Sequence, residues 1–200
     1  MRRNPEMEDI DGFLGSAHIL ASALLDVVEQ QLLDQVAGGQ VTLPHVKVMK
    51  LVATTGSYVL GDIAGFLKVS NAAASKTVDR LVRRNLLRRS EDQADRRATH
   101  LVLTPAGRRL LAAYESARRR KLAGIFATFP GEELRRAAGL LDRISAGIVN
   151  HSGGSGDVCL KCGIYFRENC RVGQLARRGC FYRAAAVRTG RRAERSKVCV

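Results

Sequence analysis

The sequence predicts a mainly helical α+β fold: a winged helix-turn-helix with long helices at both ends and a small C-terminal metal-binding extension. Three observations carry this. Apolar residues recur at three- and four-residue spacing along long runs at both ends of residues 10–150. Between them, two shorter helical runs joined by a tight turn lead directly into two short strands around a polar turn. All five cysteines, at positions 159, 162, 170, 180 and 199, lie beyond residue 158. Residues 1–150 therefore read as one domain, and 151–200 as a cysteine-rich, basic extension behind the linker His151-Ser-Gly-Gly-Ser-Gly156.

The elements follow in order. Leu14, Ile19, Leu20, Leu24, Val27, Val28, Leu32 and Val36 mark a first helix from about Ile10 to Val36, ended by Ala37-Gly38-Gly39. Thr42 is placed to cap a second helix, with Pro44 just inside it and Gly56 beyond its end. Tyr58 and Val59 read as a short extended entry to a helix from Gly61 to about Lys68. Ser70 is a strong cap for the helix Asn71 to Arg84, whose buried stripe is Ala74, Val78, Leu81 and Val82. Asn85 sits where a left-handed residue is wanted. Leu86–Ser90 and Ala98–Leu103 read as the strands of a wing, around the turn Glu91-Asp-Gln-Ala-Asp95. Thr104-Pro105 caps a helix to about Ala127, with Leu110, Leu111, Tyr114 and Leu122 on its apolar side. Pro130 opens the last long helix, through Leu134, Leu140, Leu141, Ile144 and Ile148.

Composition narrows the function classes. The chain has 200 residues, of which 46% are apolar, so it can bury a real core. Its net charge of +14 points first to a polyanion, nucleic acid before an anionic membrane. Residues 151–200 hold 11 of the 33 basic groups and only 3 of the 19 acidic ones. No uninterrupted stretch of about 18 apolar residues occurs, and Met1-Arg2-Arg3 leads into acidic residues, not an apolar run. The expectation is a cytoplasmic protein without a membrane partner. No Ser-His-Asp set, Gly-rich phosphate loop or convincing carboxylate pair is found, so an enzyme is not expected.

A recognition helix needs small or polar residues where base edges are close and cations where phosphates pass. Ser70, Asn71, Ala72, Ala73, Ser75 and Lys76 fill the cap and first two turns, and Arg80 and Arg83 follow. Small side chains let the helix enter a major groove about 12 Å wide. Asn71 and Ser75 suit base edges or phosphates; Lys76, Arg80 and Arg83 suit phosphates. The wing adds Arg88 and Arg89 at its base and Arg96 and Arg97 after its turn, where an arginine can enter a narrow minor groove. Asp95 is placed to orient one of that last pair.

The run Leu60-Gly-Asp-Ile-Ala-Gly-Phe-Leu-Lys-Val-Ser70 through Arg89, with Asp92-Gln-Ala-Asp-Arg-Arg97 and Leu101-Val-Leu-Thr-Pro-Ala-Gly107, resembles the MarR family over about residues 10–150. Asn85 stands where that family usually has Gly, and tolerates the same backbone region. The resemblance implies a homodimer built from the first and last long helices, binding a pseudo-palindromic double-stranded operator, usually as a repressor. It also implies a small-molecule effector of unknown identity in a cleft between the lobes. His18, His45 and Tyr58 are polar groups in suitable places, but each reads first as a surface or satisfied core residue.

Cys159 and Cys162 have metal-ligand spacing, and Cys170 and Cys180 follow after seven and nine residues. Four thiolates suit zinc or an iron–sulfur cluster. Lys161, Arg167, Arg171, Arg177 and Arg178 would offset their charge, and Ile164, Tyr165, Phe166, Phe181 and Tyr182 would shield the site. Only one pair is closely spaced, which favours a four-iron–four-sulfur cluster. Zinc is the alternative; a thiol–disulfide switch or plain reduced thiols form a third reading. Cys199, outside the spacing, reads as a free thiol. Two other functions compete with a regulator: a redox protein using the cysteines alone, and a non-specific DNA binder using the basic tail.

Overall fold

The structure, a computed structural model, describes residues 5–55, 58–91, 99–151 and 170–176. Helix α1 (Pro5–Ala23) continues through a π-helical stretch (Leu24–Gln30) into α2 (Gln31–Ala37). Then follow α3 (Leu43–Thr55), β1 (Tyr58–Val59), α4 (Leu60–Leu67), α5 (Asn71–Arg83), β2 (Leu87–Glu91), β3 (Thr99–Leu103), α6 (Pro105–Phe126), α7 (Gly131–His151) and α8 (Arg171–Leu175). The strands form one antiparallel sheet in the order β1-β3-β2, with Tyr58 opposite Leu101 and Arg89 opposite the same residue from the other side. This is the winged helix-turn-helix expected, with α4 and α5 as its two helices and β2–β3 as its wing. The first helix begins at Pro5, not near Ile10, and its periodicity shifts through a π-helical segment that the spacing did not reveal.

One core joins the lobes. Leu33, Met49, Leu51, Ile63, Leu81, Leu87, Leu101 and Tyr114 are fully buried and come from α2, α3, α4, α5, the sheet and α6. Each large apolar side chain so buried contributes about 1.5–3 kcal/mol against exposure. The stripe of α5 behaves as its spacing predicts: Ala74, Val78 and Leu81 have no exposed surface. Tyr114 is held neutral by its surroundings. Burial, reinforced by the Glu29 carboxylate and opposed by Arg118, pushes its pKa up to about 12.

Most of the apolar stripe of α1 does not enter this core. Leu14, Ile19 and Leu20 are exposed, as are Val27 in the π-helical stretch and Leu140, Leu141 and Ile148 on α7. By length and composition alone, with a mean hydropathy of 1.3 in its most apolar window, the run Met7–Ala37 is long and apolar enough to cross a membrane, although no uninterrupted apolar stretch of that length occurs in it. Polar residues break the run without lowering its average far enough. Its last turns are nevertheless seated on protein. Leu32 and Leu33 are buried in the main core, and Lys121 of α6 donates to the Val27 carbonyl at 2.8 Å.

Candidate nucleic-acid interface

The interface is built outward from the caps of α5. Ser70 has extended backbone, and its hydroxyl accepts the Ala73 N–H at 3.2 Å, satisfying one of the free donors of the helix start. At the other end Asn85 adopts a left-handed φ of 55°. The Leu86 N–H then bonds the Leu81 carbonyl and the Asn85 N–H the Val82 carbonyl, both at 2.9 Å, the paired closure of a Schellman motif. The turn before α5 uses the same device. Lys68 is left-handed at 56°, and the Val69 N–H reaches the Ala64 carbonyl at 3.1 Å. A lysine at this position was not anticipated; only its φ identifies it as the pivot between α4 and α5.

With the ends fixed, the outward face follows. Asn71, Ala72, Lys76, Arg80 and Arg83 are exposed, whereas Ala73 and Ser75 are half-buried. The Ser75 hydroxyl lies 3.5 Å from a carboxylate oxygen of Asp79, a long contact that aims it along the helix. Asp79 has a stronger partner, because Arg89 on β2 donates to its other oxygen at 2.6 Å. A half-exposed pair contributes little stability. Its use is geometric: it ties the base of the wing to the middle of α5. Arg84 performs a similar tie, donating to the Gln40 backbone carbonyl between α2 and α3. Arg84 and Arg89 are therefore partly committed to positioning, a role that sequence reasoning gave to neither. Arg96 and Arg97, expected at the wing tip, lie outside the described residues.

His45 sits beneath this assembly. It is buried on α3, and its Nδ1 accepts the Thr42 backbone N–H at 3.0 Å and meets the Thr42 hydroxyl at 2.9 Å. It thus completes the cap of α3 as a Glu or Gln would at that position. The acceptor role requires Nδ1 to be unprotonated. Burial, then the charges of Arg80 and Arg84, lower its pKa below the usual 6.5. The folded state therefore refuses a proton that the unfolded chain accepts. Stability from this group is full above about pH 6.5 and falls as pH drops below it, toward the folded-state pKa. Urea midpoints measured from neutral to mildly acidic pH should fall on the acid side and flatten in His45→Gln; an equal slope in the variant would count against this role.

A partly open cleft of about 340 Å³ lies behind the interface, between α3, β3 and α6. Val52, Ala53, Val102, Leu111 and Ala112 make it largely apolar. Its polar groups are Arg108 and Glu115, and Glu115 is ion-paired with Lys50. Of the four cysteines expected to ligate a metal, Cys170 is described and half-buried, its Sγ accepting the Gly173 N–H at 3.3 Å. Cys159, Cys162 and Cys180 lie outside the described residues, among which no cluster of three ligand-type side chains occurs.

Comparisons with known proteins agree with this geometry. A profile of the MarR family matches residues 41–99, the span from α3 to the start of β3. The uncharacterized HTH-type transcriptional regulator YsmB of Bacillus subtilis is 25% identical over 113 residues, 56% of this chain and 75% of its own length. The HTH-type transcriptional repressor MdtR of the same organism is 24% identical over 139 residues, 70% of this chain and 90% of its own length. The solved structure of RV1404 from Mycobacterium tuberculosis superposes with a TM-score of 0.58 at 23% identity, covering 78% of this chain and 98% of that one.

Proposed function

We propose that this chain, a winged-helix DNA-binding transcription regulator of the MarR family, is a homodimeric repressor that reads a pseudo-palindromic operator through α5 and is tuned by its C-terminal cysteines. The observation that carries the DNA reading is the outward face of α5. Asn71 and Ala72 open it, Lys76, Arg80 and Arg83 follow, and a capped, tethered scaffold holds it. Small and polar residues lead where bases are near, and cations trail where phosphates pass. The exposed apolar residues of α1 and α7 supply the faces on which two copies would pair. No catalytic step is assigned: family regulators of this kind act by binding.

The test is selection of DNA sites by the purified protein from a random pool, followed by affinity for the selected site and for unrelated DNA. A sequence-specific reader prefers its site by about 10³-fold or more. Equal affinities would make the protein a non-specific binder acting through its basic tail.

The cysteine reading is that Cys159, Cys162, Cys170 and Cys180 hold a four-iron–four-sulfur cluster, or zinc in its place. The N–H···S contact at Cys170 suits a ligating thiolate, because it delocalises negative charge from the sulfur. Anaerobic purification with iron, sulfide and zinc analysis decides between the two metals, and a metal-free protein overturns both. A second signal is suggested by the cleft between α3, β3 and α6, whose apolar walls, with Arg108 and Glu115 at its polar points, suit a small largely apolar molecule. A thermal-shift screen with small aromatic compounds, charged and neutral, tests it, and no shift at millimolar ligand would reject it.

A further inference from the structure

The first long helix carries one residue more than an α-helical ladder can bond. Through Leu24–Gln30 the bonding is π-helical, and at its end the Gln31 N–H still reaches back five residues to the Asp26 carbonyl. Where α2 resumes bonding over four residues, the ladder passes over one carbonyl, and the next in line is that of Val27. That carbonyl finds its partner on another helix: Lys121 of α6 donates to it at 2.8 Å. A cationic donor makes a stronger bond there than the missing amide would.

The same side of α6 receives the side chain that the stretch turns inward. Tyr114, Arg118 and Lys121 are spaced four and three apart, so they form one stripe. Glu29 is only 3% exposed. Its carboxylate and the Arg118 guanidinium both act electrostatically on the buried Tyr114 phenol, which places the three groups together. The consequence is one of phase. Leu32 and Leu33 seat α2 in the main core, whereas Leu14, Ile19 and Leu20 of α1 face outward. One residue of α-helix is about 100° of turn. The π-helical stretch absorbs its extra residue; α-helical bonding with every residue in place would swing the outer side of α1 by about that angle against α2.

We propose that Lys121, with the buried seat of Glu29 on α6, is a latch that holds this extra residue, and that the latch sets the direction in which α1 presents its apolar side to a second copy of the chain. The second half rests on the homodimer reading given above; the latch itself does not. Lys121 is a positioning residue that acts through the Val27 carbonyl. Lys121→Met keeps an apolar stem along the helix and removes the donor. Deletion of Val27, whose side chain is exposed, removes the extra residue together with its carbonyl. The Gln31 N–H then meets Asp26 over four residues, and both sides of the helix keep their phase.

Amide hydrogen exchange over residues 24–31 of the full-length protein reads the latch. Lys121→Met should accelerate it about tenfold in the parent, and not at all in the Val27-deleted chain, where no carbonyl is passed over. Equal acceleration in both backgrounds, or none in either, overturns the latch. If the deleted chain does not fold, Lys121→Arg takes its place. It keeps a cationic donor, so exchange as slow as the parent's supports the latch, and exchange as fast as in Lys121→Met overturns it. Sedimentation equilibrium reads the consequence for pairing. The dimer dissociation constant should rise about fivefold or more in Lys121→Met. An unchanged constant beside accelerated exchange overturns the link to the outer side of α1. A parent chain that stays monomeric sinks the dimer reading and that link with it, while exchange still judges the latch.

Discussion

Gly107→Ala should cost about 3 kcal/mol of folding stability or more, a large fraction of the margin that holds a domain folded. A Cβ at this position would stand 2.1 Å from the Leu86 carbonyl oxygen and 2.9 Å from Cδ2 of Leu103. The leucine side chain can turn aside, but the carbonyl cannot. It accepts the Thr104 N–H at 3.1 Å, while the Thr104 hydroxyl donates to the Asn85 carbonyl at 2.6 Å and accepts the Gly107 N–H at 3.0 Å. One threonine therefore caps α6, closes the end of α5 and sets the start of the wing. Relief of the clash requires the start of α6 to lift off the end of α5, breaking all of these bonds in a buried place. Gly65→Ala, at an exposed helical position with no atom within 4 Å of the new Cβ, is the control. It should gain about 0.5–1 kcal/mol from helix propensity. Chemical denaturation of both variants checks the pair; a midpoint for Gly107→Ala equal to that of the parent would show that the junction yields more readily than its hydrogen bonds imply.

That junction also explains which parts of the fold were legible. Ser70, Asn85 and the cap that Thr104 gives the Gly107 N–H involve backbone groups within about five residues, so short sequence windows contain these contacts but not the bond from Thr104 to the Asn85 carbonyl 19 residues earlier. Periodicity located α5 and its stripe because a single buried face suffices to define them. The long helices were harder. The π-helical stretch resets the phase at Leu24–Gln30, and the apolar residues of α1 and α7 serve surfaces outside the single chain's core. The tethers were not legible at all. Arg84 and Gln40 are 44 residues apart, and Arg84 reads like any other cation of a basic helix end. The packing of α8 on α7 hid for a similar reason: Val172 and Ala176 are only two small apolar residues in a basic stretch, and the residues they pack on, Ala146 and Val149, lie 23 residues or more earlier in the sequence. Gly107 was visible as part of a motif, but the reason for it is the carbonyl of a residue 21 positions earlier.

The largest functional effect should come from Lys76→Ala, Arg80→Ala and Arg83→Ala combined. These residues are spaced four and three apart, so they share one face of α5. Ala74, Val78 and Leu81 have the same spacing shifted by two residues, which puts them on the opposite, buried face. All three cations are exposed and form none of the ties that position the wing, so the fold should survive their loss. In a dimer the substitution removes six cations. If each meets a phosphate, log K against log salt becomes shallower by about 5, and affinity at low salt falls by about 10³-fold or more. Asn71→Ala should behave differently, altering base preference at one position of each half-site and leaving the salt slope alone. One side effect follows from the arrangement beneath the helix. Arg80 helps lower the pKa of His45, so its removal should bring that pKa closer to the unfolded value and make the loss of stability on the acid side smaller. A triple variant with an unchanged salt slope would mean that this face of α5 does not lie along the phosphates, and the groove would have to be entered by another element; a shallower slope with retained site preference would assign affinity to these cations and sequence reading to the first turn.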